Sequence, residues 1–234
     1  MKSPSRTGSL IIFAFILCLF LSTSARAQVK VYAEGTYKGT DVVVYIYADT
    51  NEEELRGFCV KLTYNPAELT NPVAVKNSSV WSIGGQPYQD PVIDSVGGNI
   101  VIIGGKLDPA SPTTGVTGTR ILLATATFAR LTTTTPGSDA AAFFGISLDA
   151  GKPAPFDNFV TTGTVVLDGS VIFSAQVWER GDANADGKFN VLDMMTMRDI
   201  MFYGSTMHPW SDCNGDGKVN VLDMMCVRDI MFGL

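Results

Sequence analysis

A tandem repeat near the C-terminal end of the chain constrains the fold more than any other feature. The stretch from Asp182 to Tyr203, DANADGKFNVLDMMTMRDIMFY, recurs thirty residues later as Asp212 to Gly233, DCNGDGKVNVLDMMCVRDIMFG, with 16 of 22 positions identical. Stretches this similar adopt the same local structure, so the fold must contain one short unit twice. Each unit opens with alternating Asp and Asn around a glycine and continues without Gly or Pro, the pattern of a loop followed by a helix.

The opening of each repeat has the spacing of a calcium-binding loop. Such a loop places oxygen ligands at positions 1, 3, 5, 9 and 12, a backbone carbonyl at position 7 and a glycine at position 6. Oxygen ligands without His or Cys exclude zinc as the natural metal, so we predict two calcium ions. Position 12 is Asp where a regulatory EF-hand has Glu, which predicts looser coordination or a completing water. The predicted ligands are Asp182, Asn184, Asp186, the Lys188 carbonyl, Asn190 and Asp193, and then Asp212, Asn214, Asp216, the Lys218 carbonyl, Asn220 and Asp223.

No amphipathic helix precedes either loop, because FSAQVWERG comes before the first and GSTMHPWS, with its Gly, Pro and Ser, before the second. Each loop therefore has only an exiting helix. Duplicated calcium loops, each followed by one helix, resemble a dockerin module, and the resemblance covers residues 181–234, with repeats at 182–203 and 212–233. It implies a small all-α calcium-binding module of two loop-helix repeats, whose partner is a cohesin-bearing protein.

Each predicted helix has two apolar faces. One stripe is predicted to form the small core of the module. The second face is identical in both repeats, and two helices cannot bury both faces, so we predict that it is a docking surface, a role that the dockerin resemblance also implies. The predicted core residues are Met194, Met197, Met201, Met224, Val227 and Met231, joined by Phe189 and Val219. The predicted partner-binding residues are Val191, Leu192, Met195, Arg198, Asp199 and Phe202, and Val221, Leu222, Met225, Arg228, Asp229 and Phe232.

Residues 1–27 have the pattern of a cleaved signal peptide. Basic residues precede an apolar run from Leu10 to Leu21 that is too short to span a membrane comfortably, and Ala25-Arg26-Ala27 offers a cleavage site. We therefore predict an extracellular protein cleaved near Ala27, with no membrane span. Without this segment the chain has 14 basic and 23 acidic residues, a net charge of −9, which argues against a nucleic-acid partner.

The cysteine content predicts no disulfide framework. Outside the predicted signal peptide the chain has Cys59, Cys213 and Cys226, a small and odd number. Cys213 and Cys226 occupy positions that hold Ala183 and Thr196 in the first repeat, so the architecture of the module is predicted not to need them.

Residues 28–173 have the composition of one β-rich domain. Short β-branched and aromatic runs are separated by Gly, Pro, Asn and Thr, which predicts an all-β antiparallel sandwich of jelly-roll type. The stretch from Leu55 to Val75, with its Tyr-Asn-Pro turn, and the stretch from Asn99 to Leu131, with its Leu-Ala-Thr strand, resemble cohesin domains. That resemblance implies a dockerin-bearing protein as the partner of the sandwich.

The search for catalytic residues gives no enzyme prediction. His208, the only histidine, lies between the two repeats and is predicted to be a solvated loop residue. The stretch from Glu52 to Glu54 is predicted to be an acidic turn, and adjacent carboxylates on a turn do not flank a sugar as a glycosidase pair does. No nucleophile elbow, phosphate-binding loop or Cys-His pair is present in the sequence.

The leading hypothesis is a secreted, non-catalytic adaptor with a cohesin-like sandwich and a dockerin-like module. The resemblances imply a cellulosome-type, polysaccharide-degrading assembly. A short linker at residues 174–180 is predicted to keep the two modules close together. The alternative is a sandwich that binds polysaccharide directly, with Trp81, Tyr88 and Tyr45 as candidate stacking residues.

Overall fold

The computed structural model describes residues 29–82, 89–106, 115–132, 139–150, 159–161, 165–166, 170–171 and 174–234. The predicted signal peptide and Tyr88 lie outside the described residues. Within the described ranges, no helix has both the length and the apolar character needed to cross a membrane.

The described residues form a mostly β domain followed by two longer helices. The strands are β1 (Lys30–Lys38), β2 (Asp41–Thr63), β3 (Leu69–Lys76), β4 (Val92–Asp94), β5 (Asn99–Gly105), β6 (Val116–Arg130), β7 (Ser147–Ala150), β8 (Phe159–Thr161), β9 (Val165–Val166), β10 (Ser170–Val171) and β11 (Gln176–Glu179). The helices are α1 (Ala140–Phe144), α2 (Val191–Tyr203) and α3 (Val221–Phe232), with a 3-10 helix (Pro209–Ser211) before α3. The prediction of a β-rich domain is confirmed, and each repeat contributes one helix.

Strand β2 organises the β-rich domain because it belongs to two layers. Residues 41–50 pair with β1 on one side and with β6 on the other, and β3 extends this layer beyond β6. Residues 55–63 pair with β5 on one side and with β7 and β8 on the other, and β4 extends this layer beyond β5. Shifts of the pairing register between Ala48 and Leu55 mark the passage from one layer to the other, as expected for a strand that bends at bulges.

The two layers enclose one apolar core. Val42, Val44 and Ile46 are fully buried, while the alternating residues of β2 face outward, as a period of two requires. Trp81 is also fully buried and packs edge to face on Phe58, with ring centroids 5.0 Å apart. The indole of Trp81 therefore belongs to the core, and its candidacy as a sugar-stacking residue is wrong.

The sheet is mixed, although a purely antiparallel one was predicted. Strands β10 and β11 both pair parallel to β1. Strand β11 lies in the segment 174–180, which was predicted to be a linker. Strands that pair in parallel are joined by long connections and are therefore distant in sequence. The alternation of apolar and polar residues within a strand does not show which distant strand will pair with it. The chain therefore enters the helical module directly from the sheet.

Two further local features differ from the sequence predictions. The acidic stretch at residues 52–54 lies within β2 and not in a turn, because β2 continues through it from one layer to the other. Helix α1, with Asp139 as its N-cap, inserts Phe144 into the core. A helix of five residues is too short for hydrophobic periodicity to reveal it.

Helices α2 and α3 pack through the predicted core stripe. Met197 and Val227 are fully buried at its centre, and Met194, Met224 and Val219 pack against them. Met231, at the end of the stripe, is 38% exposed. So small a core gives a module of this size little stability by itself. Its buried members are Ala183, Met197, Cys213 and Val227.

A disulfide joins Cys213 to Cys226, whose Cα atoms lie 6.0 Å apart. The sequence predicted no disulfide framework and an architecture that does not need these cysteines, and the first repeat does form the same capped helix without them. The bond fastens the second loop to α3, whereas Ala183 and Thr196 leave the first repeat without such a cross-link. The sequence could not show this pairing, because the two residues meet only when the helix folds back against its loop.

Converting the second repeat to the residues of the first tests this cross-link. We expect Cys213→Ala combined with Cys226→Thr to destabilise the module by about 2–3 kcal/mol, because the disulfide closes a loop of moderate length in the unfolded chain. Hydrogen exchange of α3 at saturating calcium measures the loss. Thr196→Ser changes the position equivalent to Cys226 in the first repeat without altering the buried Ala183, and it serves as the control. Equal protection of α3 in the cysteine variant and the native chain would contradict the expectation.

Candidate functional site

The first repeat folds into a loop that its own carboxylates hold closed. Asp182 accepts a hydrogen bond from the Gly187 N–H at 2.8 Å. Asp193 accepts from the N–H groups of Asn184 and Asn190, at 3.2 and 2.8 Å. Gly187 has φ 77°, the left-handed conformation that the glycine at position 6 was predicted to supply. The predicted ligand positions are thus gathered around one loop.

The second repeat repeats this arrangement. Asp212 accepts from the Gly217 N–H at 2.7 Å, and Asp223 accepts from the N–H groups of Asn214 and Asn220, at 3.1 and 2.8 Å. Gly217 has φ 85°. Both loops therefore share one hydrogen-bond pattern, which follows from their shared sequence.

The Asp at position 12 joins each loop to its helix. Asn190 is the N-cap of α2, and its Oδ1 accepts from the Leu192 N–H at 2.8 Å. Asp193 Oδ2 in turn accepts a hydrogen bond from the Asn190 N–H, which completes a capping box. Asn220 and Asp223 form the same box at the start of α3. The residue that closes the loop therefore also starts the helix, so the order of the loop and the order of the helix are coupled.

The carboxylates at positions 1 and 12 of each loop are buried, which makes their charge costly without a cation. Asp193 and Asp223 are fully buried, and Asp182 is 2% exposed. Burial raises the pKa of Asp182 to about 6, although backbone hydrogen bonds oppose the rise. Burial also raises the pKa of Asp193 and of Asp223. A hard divalent cation would relieve this cost, so the donor chemistry of the loops fits such an ion.

The fit does not rest on acidic side chains alone. Among the described residues, no group of three or more His, Cys, Asp and Glu side chains is arranged to hold a metal ion. The predicted set differs, because part of its oxygens come from Asn side chains and from the carbonyls of Lys188 and Lys218. The side chains of positions 3 and 5 lie together in the first loop, where Asn184 Nδ2 donates to Asp186 Oδ2 at 2.9 Å.

The predicted partner-binding face is exposed on both helices. Phe202 is 72% exposed on α2, and its counterpart Phe232 is 69% exposed on α3. The other exposed apolar members are Val191, Leu192, Met195, Val221, Leu222 and Met225. Each helix also carries one ion pair of adjacent residues, Arg198 with Asp199 and Arg228 with Asp229. So much exposed apolar surface on a small module is the physical requirement for a docking surface, and the binding role of these residues stays a prediction.

Glu34 in β1 connects the sandwich to the segment between the repeats. Arg120 donates from Nη1 and Nη2 to the Glu34 carboxylate at 3.0 and 2.8 Å, and His208 Nδ1 lies 3.1 Å from Glu34 Oε1. Burial acts to raise the pKa of Glu34, but the hydrogen bonds from His208 and Arg120 outweigh it and leave this pKa lowered. His208 also stacks on Trp210, with centroids 4.6 Å apart. His208 lies in a loop as predicted, but it is half-buried and paired with Glu34, so the prediction that it is solvated is wrong.

Further contacts fix the position of the second loop. Lys38 Nζ of β1 donates to the Cys213 carbonyl at 3.1 Å and so ties the loop to the sandwich. Within the module, the Gly181 N–H donates to the Trp210 carbonyl at 2.7 Å. Gly181 has φ 106°, and a side chain there would lie 3.1 Å from Cys213 Sγ. Sequence reasoning missed these residues. The available signal is that the segments before the two loops differ, although the predicted ligand residues of the two loops are identical.

No family model and no curated protein sequence matches the chain. Solved structures with a similar chain trace include the sixth cohesin of Acetivibrio cellulolyticus scaffoldin B in complex with the Cel5 dockerin, at 16% identity and a TM-score of 0.44, covering 66% of this chain and 99% of that one. The Coh-OlpC–Doc435 complex of Clostridium thermocellum has 12% identity and a TM-score of 0.43, covering 68% and 98%. CaCohA2 of Clostridium acetobutylicum has 13% identity and a TM-score of 0.42, covering 68% and 94%. Likenesses at this level do not assign the chain to a family.

Proposed function

We propose that the protein is a secreted, non-catalytic adaptor that joins two partners through its two modules. The observation that carries the proposal is the pair of loop-helix repeats, which share one hydrogen-bond pattern and present the same exposed residues. Metal binding by each loop would explain why its carboxylates are buried. Partner binding by each helix would explain why its apolar side chains are exposed.

Calcium is the ion that the loops are proposed to hold. Asp182, Asn184, Asp186, Asn190 and Asp193 supply side-chain oxygens in the first loop, together with the Lys188 carbonyl, and the equivalent residues do so in the second. Bound calcium supplies positive charge against the buried carboxylates. The protein in turn keeps these oxygens oriented by the backbone hydrogen bonds described above.

The C-terminal module is proposed to be dockerin-like, with a cohesin-bearing protein as its partner. The sandwich is proposed to be cohesin-like and to receive a dockerin-bearing protein. Support comes from the sequence resemblances at Leu55 to Val75 and Asn99 to Leu131, and from the two-layered fold that these stretches build. A polysaccharide-degrading assembly is the setting that these resemblances imply.

Secretion is supported by two features of the chain. Residues 1–27 have the pattern of a signal peptide. The disulfide between Cys213 and Cys226 is typical of proteins that fold in an oxidising compartment.

A pull-down experiment tests the proposal. The chain is presented to a panel of cohesin domains and to a panel of dockerin modules, each in calcium and in chelator. We expect retention by at least one cohesin domain in calcium and its loss in chelator. Binding that persists in chelator would contradict the role of calcium, and binding to neither panel would contradict the adaptor function.

The number of calcium ions bound per chain tests each loop individually. We expect equilibrium dialysis to find two ions per native chain and one ion in either Asp182→Ala or Asp212→Ala, because each change removes the position-1 ligand of a single loop. Asp41→Ala alters an exposed carboxylate of β2 and should leave two ions bound. A variant of either loop that still binds two ions would contradict the ligand assignment.

The carbohydrate-binding alternative loses most of its candidates in this structure. Trp81 is buried in the core, and Tyr88 lies outside the described residues. Tyr45 alone of the three is placed at a surface where a ligand has access, in a cleft beside the helical module.

A further inference from the structure

A cleft lies where the helical module meets the outer face of the sandwich. It is an open cleft of about 360 Å³ between strands β2 and β6 on one side and residues 207–217 on the other. Cavities of this size at the junction of two structural units are common sites for small molecules or for one end of a chain-like ligand. The residues that line the cleft include Tyr45, Tyr47, Arg120, Met207, His208 and Asp212.

Tyrosine side chains form a row along this face. Tyr45 and Tyr47 project from the same side of β2, with near-parallel rings and centroids 6.2 Å apart. Tyr32 of β1 continues the row, 5.8 Å from Tyr47. Tyr32 also lines a second cavity, of about 300 Å³, on the same face together with Lys30 and Asp49. The row therefore leads from one cavity to the other.

The charges at the cleft are already matched. The Arg120 guanidinium is paired with Glu34 at 2.8 Å and lies 4.5 Å from the centroid of the Tyr47 ring. Two of the five N–H donors of Arg120 serve Glu34. Asp212 belongs to the second loop, where the proposed calcium ion would offset its charge. The cleft thus combines aromatic surface with hydrogen-bonding groups and attracts neither an acidic nor a basic ligand.

We propose that this cleft binds a neutral oligosaccharide. A pyranose ring has an apolar C–H face, which suits the tyrosine rings, and a rim of hydroxyl groups, which suits Arg120, His208 and the tyrosine hydroxyls. A purely aromatic ligand would offer no hydrogen bond to the hydroxyl groups of Tyr45 and Tyr47, and an acidic one would find the positive charge of Arg120 already matched by Glu34. Because the module forms one wall, binding should require the module to be folded on the sandwich.

Isothermal titration of the full chain in saturating calcium tests the proposal, with cellotetraose, xylotetraose, mannotetraose and maltotetraose as neutral probes and tetragalacturonic acid as the acidic one. We expect at least one neutral probe to bind, with the acidic probe at least about tenfold weaker. Tyr45→Ala should weaken binding at least about tenfold, because the ring contact is lost. The matched control Tyr45→Phe keeps the ring and should stay within about threefold of the native chain.

The variant Met207→Trp places a larger side chain in the cleft from the module side and should also weaken binding of the neutral probes. It tests the proposal if Tyr45→Ala fails to fold. Absence of binding for every neutral probe would overturn the proposal. A preference for the acidic probe would also overturn the proposal, and so would native affinity for the neutral probes in both Tyr45→Ala and Met207→Trp. Titration of the same probes in chelator distinguishes a failure of the glycan proposal from a failure of the calcium proposal. Loss of glycan binding in chelator supports both proposals. Binding that survives chelation but disappears in Tyr45→Ala keeps the glycan site and shows that residues 207–217 stay on the sandwich without calcium.

Discussion

Removal of calcium is expected to unfold α2 in the native chain while the sandwich stays folded. The first loop holds buried carboxylates whose pKa burial raises, to about 6 for Asp182, so their charged forms are destabilised without a cation. The core of the module contains very few buried residues and offers little to offset that cost. At calcium concentrations about 100-fold above the Kd, each bound ion stabilises the folded form by about 2.7 kcal/mol. Protection of α2 amides should therefore fall about 100-fold in chelator.

The second repeat is expected to lose less protection than the first. Its loop is tied to α3 by the disulfide and to the sandwich by Lys38 and by the pairing of His208 with Glu34. Hydrogen exchange in calcium and in chelator measures both helices in one sample, and the core strand β2 is the internal control. Unchanged protection of α2 amides in chelator would contradict the prediction that calcium folds the module. Equal losses in α2 and α3 would contradict the anchoring of the second repeat.

Disabling both exposed faces is expected to abolish binding of the cohesin-bearing partner, whereas disabling one face should have little effect. Both helices present the same exposed residues, so a partner that binds one face can bind the other after a half turn of the module. Leu192→Asp with Phe202→Ala removes one of two equivalent orientations and should weaken binding about twofold. Adding Leu222→Asp and Phe232→Ala removes both sets of anchors and should weaken binding at least about 100-fold, since buried anchors contribute about 2 kcal/mol or more each.

Matched variants make this comparison decisive. Leu222→Asp with Phe232→Ala alone should behave like the first double variant, because the two faces are equivalent. Calcium stoichiometry and exchange protection of α2 and α3 must stay native in every variant, since none of the changed residues is a ligand or a core residue. Loss of binding on disabling a single face would contradict the two-orientation model.

The repeats show how far the sequence reaches. Ligand spacing predicted the loops because the oxygens that meet around such a loop lie within twelve residues of one another, so local chemistry determines their arrangement. The exposed face of α2 and α3 was predictable for a similar reason, since a helix of fixed period cannot bury every side. The short β-branched and aromatic runs likewise predicted strands, and the buried Val42, Val44 and Ile46 alternate with outward-facing residues within one of them.

Only the tertiary structure decided the contacts between distant segments. Glu34 and His208 are 174 residues apart, and no local pattern marks either as the partner of the other. Cys213 and Cys226 meet because α3 packs back on its loop, and β11 becomes a strand because β1 offers it a parallel edge. Spacing and periodicity are properties of neighbouring residues, so the sequence by itself determined the loops, the helices and their faces. How the module sits on the sandwich, and with it the tyrosine-lined cleft, depends on surfaces that exist only once both units have folded.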